Sequence, residues 1–239
     1  MLRKKFFYKF KNKNFSFEYN NKCFIPTTTS DLILKCASKL LIKKKKILDL
    51  GCGIGIVSIV LSKLKPKLNY YASDLHSENI KFCRINNKKF KTKILIKKGN
   101  IFSPWKNEQF DMIIDDVSGV AKNVSRISPW FKNIPCDTGN DGTKLICKVI
   151  NQSGRYLTNS GSLIFPIISL SNEKKILRLA KKKFNEVKFL DEVKWFLPDS
   201  LYKYKKLLNK LKLNNNIYYE EKFGKIICST KVYLASREK

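Results

Sequence analysis

The sequence predicts an α/β fold with a mostly parallel, seven-stranded sheet and helices on both faces. Three observations favour this fold. Between about residues 46 and 170, short β-branched runs alternate with longer helical patterns, which is the order of βαβ units. The first of these runs leads into a glycine-rich turn. The chain has 239 residues, 43% of them hydrophobic, and this is enough for one sizeable core.

The elements follow in a regular order along the chain. Apolar, β-branched runs predict five buried strands, at 46–50, 68–74, 93–99, 110–116 and 160–170. Helical patterns predict four helices, at 54–64, 76–90, 142–157 and 172–184. Two more strands are expected at 186–193 and 225–236, on either side of a basic amphipathic helix over 199–212. No linker rich in Gly, Ser or Pro divides the chain, so we expect one domain over 46–239, with residues 1–45 as an N-terminal extension packed on it.

The composition excludes several classes of protein. No run approaches the roughly 18 uncharged apolar residues of a membrane span, and charges interrupt the N-terminal segment too often for a signal peptide. Seven cysteines without a C-x-x-C pair favour reduced thiols over a disulfide framework or a zinc site. The single histidine, His76, leaves no material for a histidine metal cluster or a Ser/His/Asp triad. We therefore expect a soluble, cytoplasmic protein with no metal and no membrane contact.

The net charge of +30 has two explanations. Clustered cations bind phosphate by releasing counterions, which favours RNA or a ribosomal particle as a partner. Lysine accounts for 43 of the 49 basic residues, and an AT-rich genome could supply much of that excess. The scarcity of acids, 19 against 49 bases, is harder to explain by composition alone. We expect contact with a polyanion through the lysine-rich surface, with a merely solvated surface as the alternative.

The turn after the first strand reads DLGCGIG, with Asp49 two residues before three alternating glycines. Glycines here permit a tight turn and let backbone N–H groups approach a ligand at a helix N-terminus. Ile56 occupies the third glycine position of the dinucleotide fingerprint, which disfavours a nicotinamide enzyme. Asp74 ends the second strand about 20 residues later, where a carboxylate can accept both ribose hydroxyls of an adenosine. Its alternative role is to cap the next helix, for which Ser77 is a second candidate.

The DLGCGIG turn resembles motif I of class I S-adenosylmethionine-dependent methyltransferases. DLHSENIKFCRIN (74–86) is similar to a segment of the HemK-type release-factor glutamine methyltransferases, within the small methyltransferase family. GNIFSPW (99–105) resembles G-D-(L/W)-F-S-P-L of that group, with Asn100 in place of the Asp. TGNDGTKLICKVI (138–150) and FIPTTTSDLIL (24–34) resemble two further segments, the second of which folds over the cofactor in that group.

The resemblance implies the Rossmann-like class I methyltransferase fold and S-adenosyl-L-methionine as cofactor. The cofactor-binding residues implied are Asp49, Gly51, Cys52, Gly53, Ile54, Gly55, Asp74, Leu75, Asn100, Ile101 and Asp116.

The acceptor half of the pattern is different in this chain. The family ends its fourth strand in N-P-P-Y, whose Asn side chain and Pro carbonyl accept hydrogen bonds from the nucleophilic nitrogen. The aligned residues here are Asp116, Val117, Ser118 and Gly119. Asp116 is the candidate catalytic residue, because an ionised carboxylate can accept N–H bonds or take a proton from a hydroxyl. The candidate substrate-binding residues are Pro26, Val117, Ser118 and Trp130.

The two adjacent acids also have a structural alternative. Asp115 and Asp116 could cap the next segment or pair with Lys122 and Arg126 on the surface. Strand alternation sends only one of the two acids toward a pocket. We expect a methyltransferase whose acceptor is a release factor, a ribosomal protein, rRNA or tRNA. The alternative is a non-catalytic module that binds the cofactor and RNA.

Overall fold

The computed structural model describes residues 3–132, 134 and 136–237. These residues form ten strands: β1 (Lys4–Phe10), β2 (Lys13–Tyr19), β3 (Lys46–Leu50), β4 (Asn69–Asp74), β5 (Ile94–Lys98), β6 (Phe110–Asp115), β7 (Leu157–Ile168), β8 (Glu186–Phe196), β9 (Glu220–Lys222) and β10 (Lys225–Ser236). Their α-helices are α1 (Thr28–Lys39), α2 (Ile56–Leu64), α3 (Ser77–Lys89), α4 (Lys122–Ile127), α5 (Lys144–Ser153), α6 (Glu173–Lys183) and α7 (Lys205–Leu213).

The main sheet has the strand order β5-β4-β3-β6-β7-β10-β8, with the short β9 paired to β10. The five strands from β5 to β7 run parallel, and β10 runs antiparallel to its neighbours. The predicted seven strands and their mostly parallel arrangement are thus confirmed, and β9 is an eighth strand that was not predicted. The strand order reverses between β3 and β6, so a crevice is expected beyond the carboxyl ends of these two strands.

The two faces of the sheet are buried under different helices. Ile47 of β3 belongs to an apolar core with residues of α1, α2 and α3. Leu48 and Leu50 point to the other face, into a core with α5 and α6. Full burial of such a side chain contributes about 1.5–3 kcal/mol, so this alternation fixes the register of β3. The carboxyl end of β3 is therefore held rigidly where the glycine turn begins.

The segment before β3 forms a hairpin and a helix. Strands β1 and β2 pair with each other, and Asn86 of α3 binds both the backbone N–H and the C=O of Glu18 in β2. Tyr8 of the hairpin donates a hydrogen bond of 2.5 Å to Asp31 of α1. Met1 and Leu2 lie outside the described residues. The division of the chain at residue 45 stays a prediction.

Three local features differ from the sequence-based expectation. The hairpin and α4 were not predicted, and the segment over 199–212 divides into a 3-10 helix (Asp199–Tyr204) and α7. Helix α4 has only six residues, too few for a periodic pattern to be recognised. Within the described part of the chain, no helix has both the length and the apolar character needed to cross a membrane.

Candidate active site

A cavity of about 470 Å³, here called the main cavity, opens at the carboxyl ends of β3, β4 and β6. It lies at the point where the strand order reverses, as expected for ligand sites in open α/β sheets. Nine of the residues singled out in the sequence line it: Gly51, Gly53, Asp74, Leu75, Asn100, Ile101, Asp116, Val117 and Ser118.

The glycine turn forms the floor next to β6. Gly51 has φ of +81°, and a Cβ there would stand 3.0 Å from the carbonyl carbon and oxygen of Asp116. Gly55 has φ of +92° and begins α2, where a Cβ would meet the Cys83 sulfur at 2.8 Å. A side chain at either position would therefore force the turn away from β6 or from α3. The close contact also means that Gly51 sets the position of Asp116.

Four of the predicted cofactor residues are buried behind the turn and do not line the main cavity. Asp49 is 1% exposed, and its Oδ2 accepts a 3.0 Å hydrogen bond from the Ser58 N–H at the start of α2. Burial raises the pKa of Asp49 to about 6. Cys52, Ile54 and Gly55 are also buried. Asp49 stabilises the start of α2 and, with it, the shape of the glycine turn.

The Asp74 carboxylate is fixed at the rim of the main cavity. Its Oδ2 accepts a 3.0 Å hydrogen bond from the Gly53 N–H, and its Oδ1 accepts one of 2.8 Å from the His76 N–H. An ionised carboxylate has about four acceptor positions, so two remain for a ligand. Helix α3 begins after His76, which makes no side-chain cap. Asp74 therefore stabilises the turn and still presents acceptors to the cavity.

The opposite wall follows β5. Ile101 has φ of +52°, a conformation that is rare for a branched residue, and is 7% exposed. The Asn100 N–H donates a 3.0 Å hydrogen bond to the Ser103 hydroxyl, which stabilises this turn. Ile101 thus adds an apolar side chain to the lining of the cavity, which suits one face of a flat heterocycle.

Asp116 lies where β6 meets the cavity and is held by α1. The Ser30 hydroxyl donates a 2.6 Å hydrogen bond to its Oδ2, and its own N–H donates to the Leu50 carbonyl. Burial raises the pKa of Asp116 well above the usual range, the Ser30 hydrogen bond opposes this, and nearby acids raise it further. Without a cation beside it, Asp116 is therefore biased toward the protonated form.

Asp115 points to the opposite face of the sheet. It is fully buried, its Oδ1 accepts a 3.2 Å hydrogen bond from the Val117 N–H, and its Oδ2 has no partner among the described residues. Pairing of Asp115 with Lys122 or Arg126 on the surface, one of the alternatives considered from the sequence, is wrong. The expectation that only one of the two acids reaches the pocket agrees with this geometry.

Asp115→Asn is expected to reduce the dependence of thermal stability on pH, and the rest of that dependence comes from Asp49 and Asp116, whose pKa values are also raised. Burial raises the pKa of Asp115 to about 8, so the folded state binds more protons than the unfolded state between about pH 4 and pH 8. Stability therefore falls as pH rises through this window. Thermal melts at intervals across it would measure the slope. The control is Asp111→Asn, whose pKa is lowered in the fold and which leaves the slope in place. An unchanged slope in Asp115→Asn would contradict the raised pKa of Asp115 in the folded protein.

Two predicted substrate residues lie elsewhere, and several lining residues were not found from the sequence. Pro26 is half-buried beside Thr27, which does line the main cavity. Trp130 lines a neighbouring cleft of about 200 Å³. Ser30 was missed because only the folded chain brings it to Asp116. Other lining residues that were not assigned a role are Phe24, Thr29, Ser73, His76, Asn79, Lys144 and Lys148.

Known proteins resemble this region in sequence and in fold. Residues 27–116 match the family model of the methyltransferase small domain. A release factor glutamine methyltransferase of Thermodesulfovibrio yellowstonii is 27% identical over 155 residues, which are 62% of this chain and 55% of the relative. A putative protein N5-glutamine methyltransferase of Methanocaldococcus jannaschii is 26% identical over 162 residues, 65% of this chain and 77% of the relative.

Among solved structures, the T. thermophilus 16S rRNA methyltransferase RsmC, in complex with AdoMet and guanosine, superposes with a TM-score of 0.62. The two sequences are 13% identical, and the match covers 100% of this chain and 51% of that one. At this identity the likeness shows the fold alone. The chain spans about half the length of the first curated relatives, 55% and 51% for two of them.

Proposed function

Because the chain has the class I methyltransferase fold and residues 27–116 match the methyltransferase small domain, we propose that it is an S-adenosylmethionine-dependent methyltransferase acting on a macromolecule of the translation machinery. The observation that carries this proposal is the single cavity lined by the glycine turn, the Asp74 carboxylate and Asp116. The T. yellowstonii relative is named a release factor glutamine methyltransferase, and the M. jannaschii relative a putative protein N5-glutamine methyltransferase. A protein side chain or an RNA base is the acceptor in this proposal.

The residues of the main cavity fit the cofactor chemically. Asp74 retains acceptor positions for a ribose diol, and Ile101 offers an apolar wall for the adenine. When bound, the cofactor supplies an electrophilic methyl group on a positively charged sulfur. The chain then has to align the acceptor with that methyl group and exclude water. Asp116 orients the acceptor nitrogen or holds its proton, and Ser30 fixes the carboxylate.

Cofactor binding is expected to release a proton. The pKa of Asp116 is raised in the free protein, and a positive charge beside the carboxylate lowers it. Calorimetric titrations in buffers of different ionisation enthalpy would show this as a buffer-dependent binding enthalpy. The effect should be lost in Asp116→Asn and kept in Asp111→Asn, since Asp111 lies at the far end of β6. A buffer-independent enthalpy in the wild-type protein would contradict a raised pKa of Asp116 in the free protein.

The test of the function is methyl transfer to fractionated lysate. The protein is incubated with radiolabelled S-adenosylmethionine and separate fractions of release factors, ribosomal proteins, rRNA and tRNA. Label in one fraction, absent with Asp116→Ala, supports the proposal and names the acceptor class. Label in none of the fractions, despite stoichiometric cofactor binding, counts against it.

A second candidate rests on the residues after β6. In the release-factor methyltransferases that this chain resembles, two prolines and an aromatic residue of the N-P-P-Y motif contact the acceptor. Their places are taken here by Val117, Ser118 and Gly119. A chain that keeps the fold and the cofactor while holding RNA through its net charge of +30 would be a non-catalytic binding module. Binding of cofactor without transfer to any fraction would favour this candidate.

A further inference from the structure

An aromatic cleft adjoins the main cavity on the side of Asp116. The cleft has a volume of about 200 Å³ and shares Phe24, Phe131, Thr27, Thr29 and Ile168 with the main cavity. Five aromatic rings are among its walls: Phe24, Trp130, Phe131, Trp195 and Phe196. An acceptor held here reaches the cavity without crossing the core.

The two tryptophan rings of the cleft pack against each other. Trp130 and Trp195 meet edge to face, with centroids 5.5 Å apart and an interplanar angle of 84°. The Trp195 indole N–H donates a 3.1 Å hydrogen bond to the Thr230 hydroxyl, which lies 3.3 Å from that of Thr29. Thr29 precedes Ser30, which binds Asp116. The first turn of α1 thus connects the cleft to the Asp116 carboxylate.

A basic groove adjoins the same cavity. It has a volume of about 480 Å³ and shares Phe131 with both the main cavity and the aromatic cleft. Arg126, Lys132 and Lys203 line it, and no carboxylate does so among the described residues. These three cations form no ion pair within the part of the chain that the structure describes, and the Lys203 Nζ lies 5.2 Å from the centroid of the Tyr204 ring. Tyr204 adds an aromatic ring to the groove.

We propose, building on the methyltransferase function above, that the acceptor is single-stranded RNA, with one unstacked base in the aromatic cleft and neighbouring phosphates in the basic groove. Every base has a face that stacks on aromatic rings, and unpaired cations without acids match a phosphate backbone. The planar amide of a glutamine side chain also has a face that stacks on a ring, but a protein acceptor brings no phosphates for Arg126, Lys132 and Lys203, so the basic groove favours RNA. A base in a duplex cannot enter the cleft, so the acceptor base is unpaired or flipped out.

The chemistry at Asp116 is compatible with a base as the acceptor. An exocyclic amine or ring N–H of a base can donate to the carboxylate, which takes the place of the Asn of the N-P-P-Y motif. The ring that the motif supplies for stacking is absent at Gly119. Trp130 and Phe131 come from the 3-10 helix Pro129–Phe131, and Trp195 comes from β8. These rings supply stacking from a different part of the chain.

The test uses five-nucleotide RNAs of A, C, G or U and an abasic oligonucleotide of equal length, all titrated with S-adenosylhomocysteine present. We expect at least one base-containing RNA to quench tryptophan fluorescence and to bind more tightly than the abasic control. Trp130→Ala should weaken that RNA about tenfold and reduce the quench, and it should leave binding of the abasic chain unchanged. If Trp130→Ala fails to fold, Trp195→Phe is the second variant, because it keeps an aromatic ring at this position.

The groove is tested by its salt dependence. Replacing Arg126, Lys132 and Lys203 by alanine should lower the slope of log affinity against log salt by about 2, because each phosphate contact on a single strand contributes roughly 0.7. The matched control replaces Lys43, Lys44 and Lys45, an equal change of charge at the other end of β3. Equal slopes for the two triple variants would overturn the groove assignment.

The outcomes separate this inference from the proposed function. Equal binding of base-containing and abasic chains without quenching overturns the base site, even if cofactor binds normally. Methyl label that protease removes and ribonuclease leaves would also overturn it, while it would support the methyltransferase function. Absence of cofactor binding would instead count against the proposed function.

Discussion

Asp74→Ala is expected to abolish measurable binding of S-adenosylmethionine. The carboxylate is held by the Gly53 and His76 N–H groups and keeps two acceptor positions for the ribose hydroxyls. Hydrogen bonds to a charged acceptor contribute roughly 1.5–3 kcal/mol each, so the loss of two weakens binding by roughly 10²- to 10⁴-fold. Asp74→Asn keeps one acceptor oxygen, so its affinity for the cofactor should lie between those of Asp74→Ala and the wild type. Isothermal calorimetry measures the three affinities.

The control for Asp74→Ala is Asp111→Ala. Asp111 also accepts two backbone N–H groups, those of Lys45 and Lys46, but it lies at the amino end of β6, away from the cavity. The Asp111→Ala variant should lose a comparable number of local hydrogen bonds and bind the cofactor as tightly as the wild type. Unchanged affinity in Asp74→Ala would remove the ribose role from Asp74 and, with it, the cofactor assignment of the turn.

Asp116→Ala is expected to remove turnover and to keep most of the cofactor affinity, losing only the part gained when the cofactor ionises the carboxylate. General acid–base groups contribute typically 10²–10⁴-fold to rate, and kcat should fall within about that range. Ser30→Ala, which removes the 2.6 Å hydrogen bond, should lower kcat by a smaller factor because the carboxylate stays in place but is less well fixed. Single-turnover transfer to the acceptor fraction, together with calorimetry, separates chemistry from binding.

Two results would revise the role of Asp116. Turnover at the wild-type rate in Asp116→Ala would exclude a catalytic role and leave the residue as part of the wall. A large loss of cofactor affinity would place it with the cofactor residues, a role that the resemblance also implies. Asp116→Asn, which restores the Asn of the family pattern, distinguishes charge from hydrogen bonding: activity in this variant would mean that an acceptor oxygen suffices.

The sequence predicts that Gly51, Gly53 and Asp74 lie together, and all three line the main cavity. Their role in cofactor binding stays a prediction. The glycine turn and Asp74 each directly follow a strand, and neighbouring parallel strands bring their carboxyl ends to one edge. The pattern therefore places Gly51, Gly53 and Asp74 together without any knowledge of long-range packing. Asp49 does not line the main cavity, because strand alternation buries its side chain behind the turn.

The acceptor side could not be predicted in the same way. Ser30 contacts Asp116 across 86 positions of sequence, and the contact depends on how α1 packs on the sheet. Trp195 faces the cleft from β8, and Trp130 reaches it from a loop that has no periodic pattern. The N-terminal hairpin did carry a signal, since Phe6, Tyr8 and Phe10 alternate with other residues as in a strand. Phe7, which is 76% exposed on the other face of β1, interrupts that alternation in the sequence.

We expect the main cavity to hold the cofactor with its reactive sulfur toward Asp116. A crystal structure with S-adenosylhomocysteine tests this most directly. We expect the ribose hydroxyls within hydrogen-bond distance of Asp74, the adenine against Ile101 and the sulfur facing Asp116. Ligand bound at another place, or no bound ligand at saturating concentration, would contradict it.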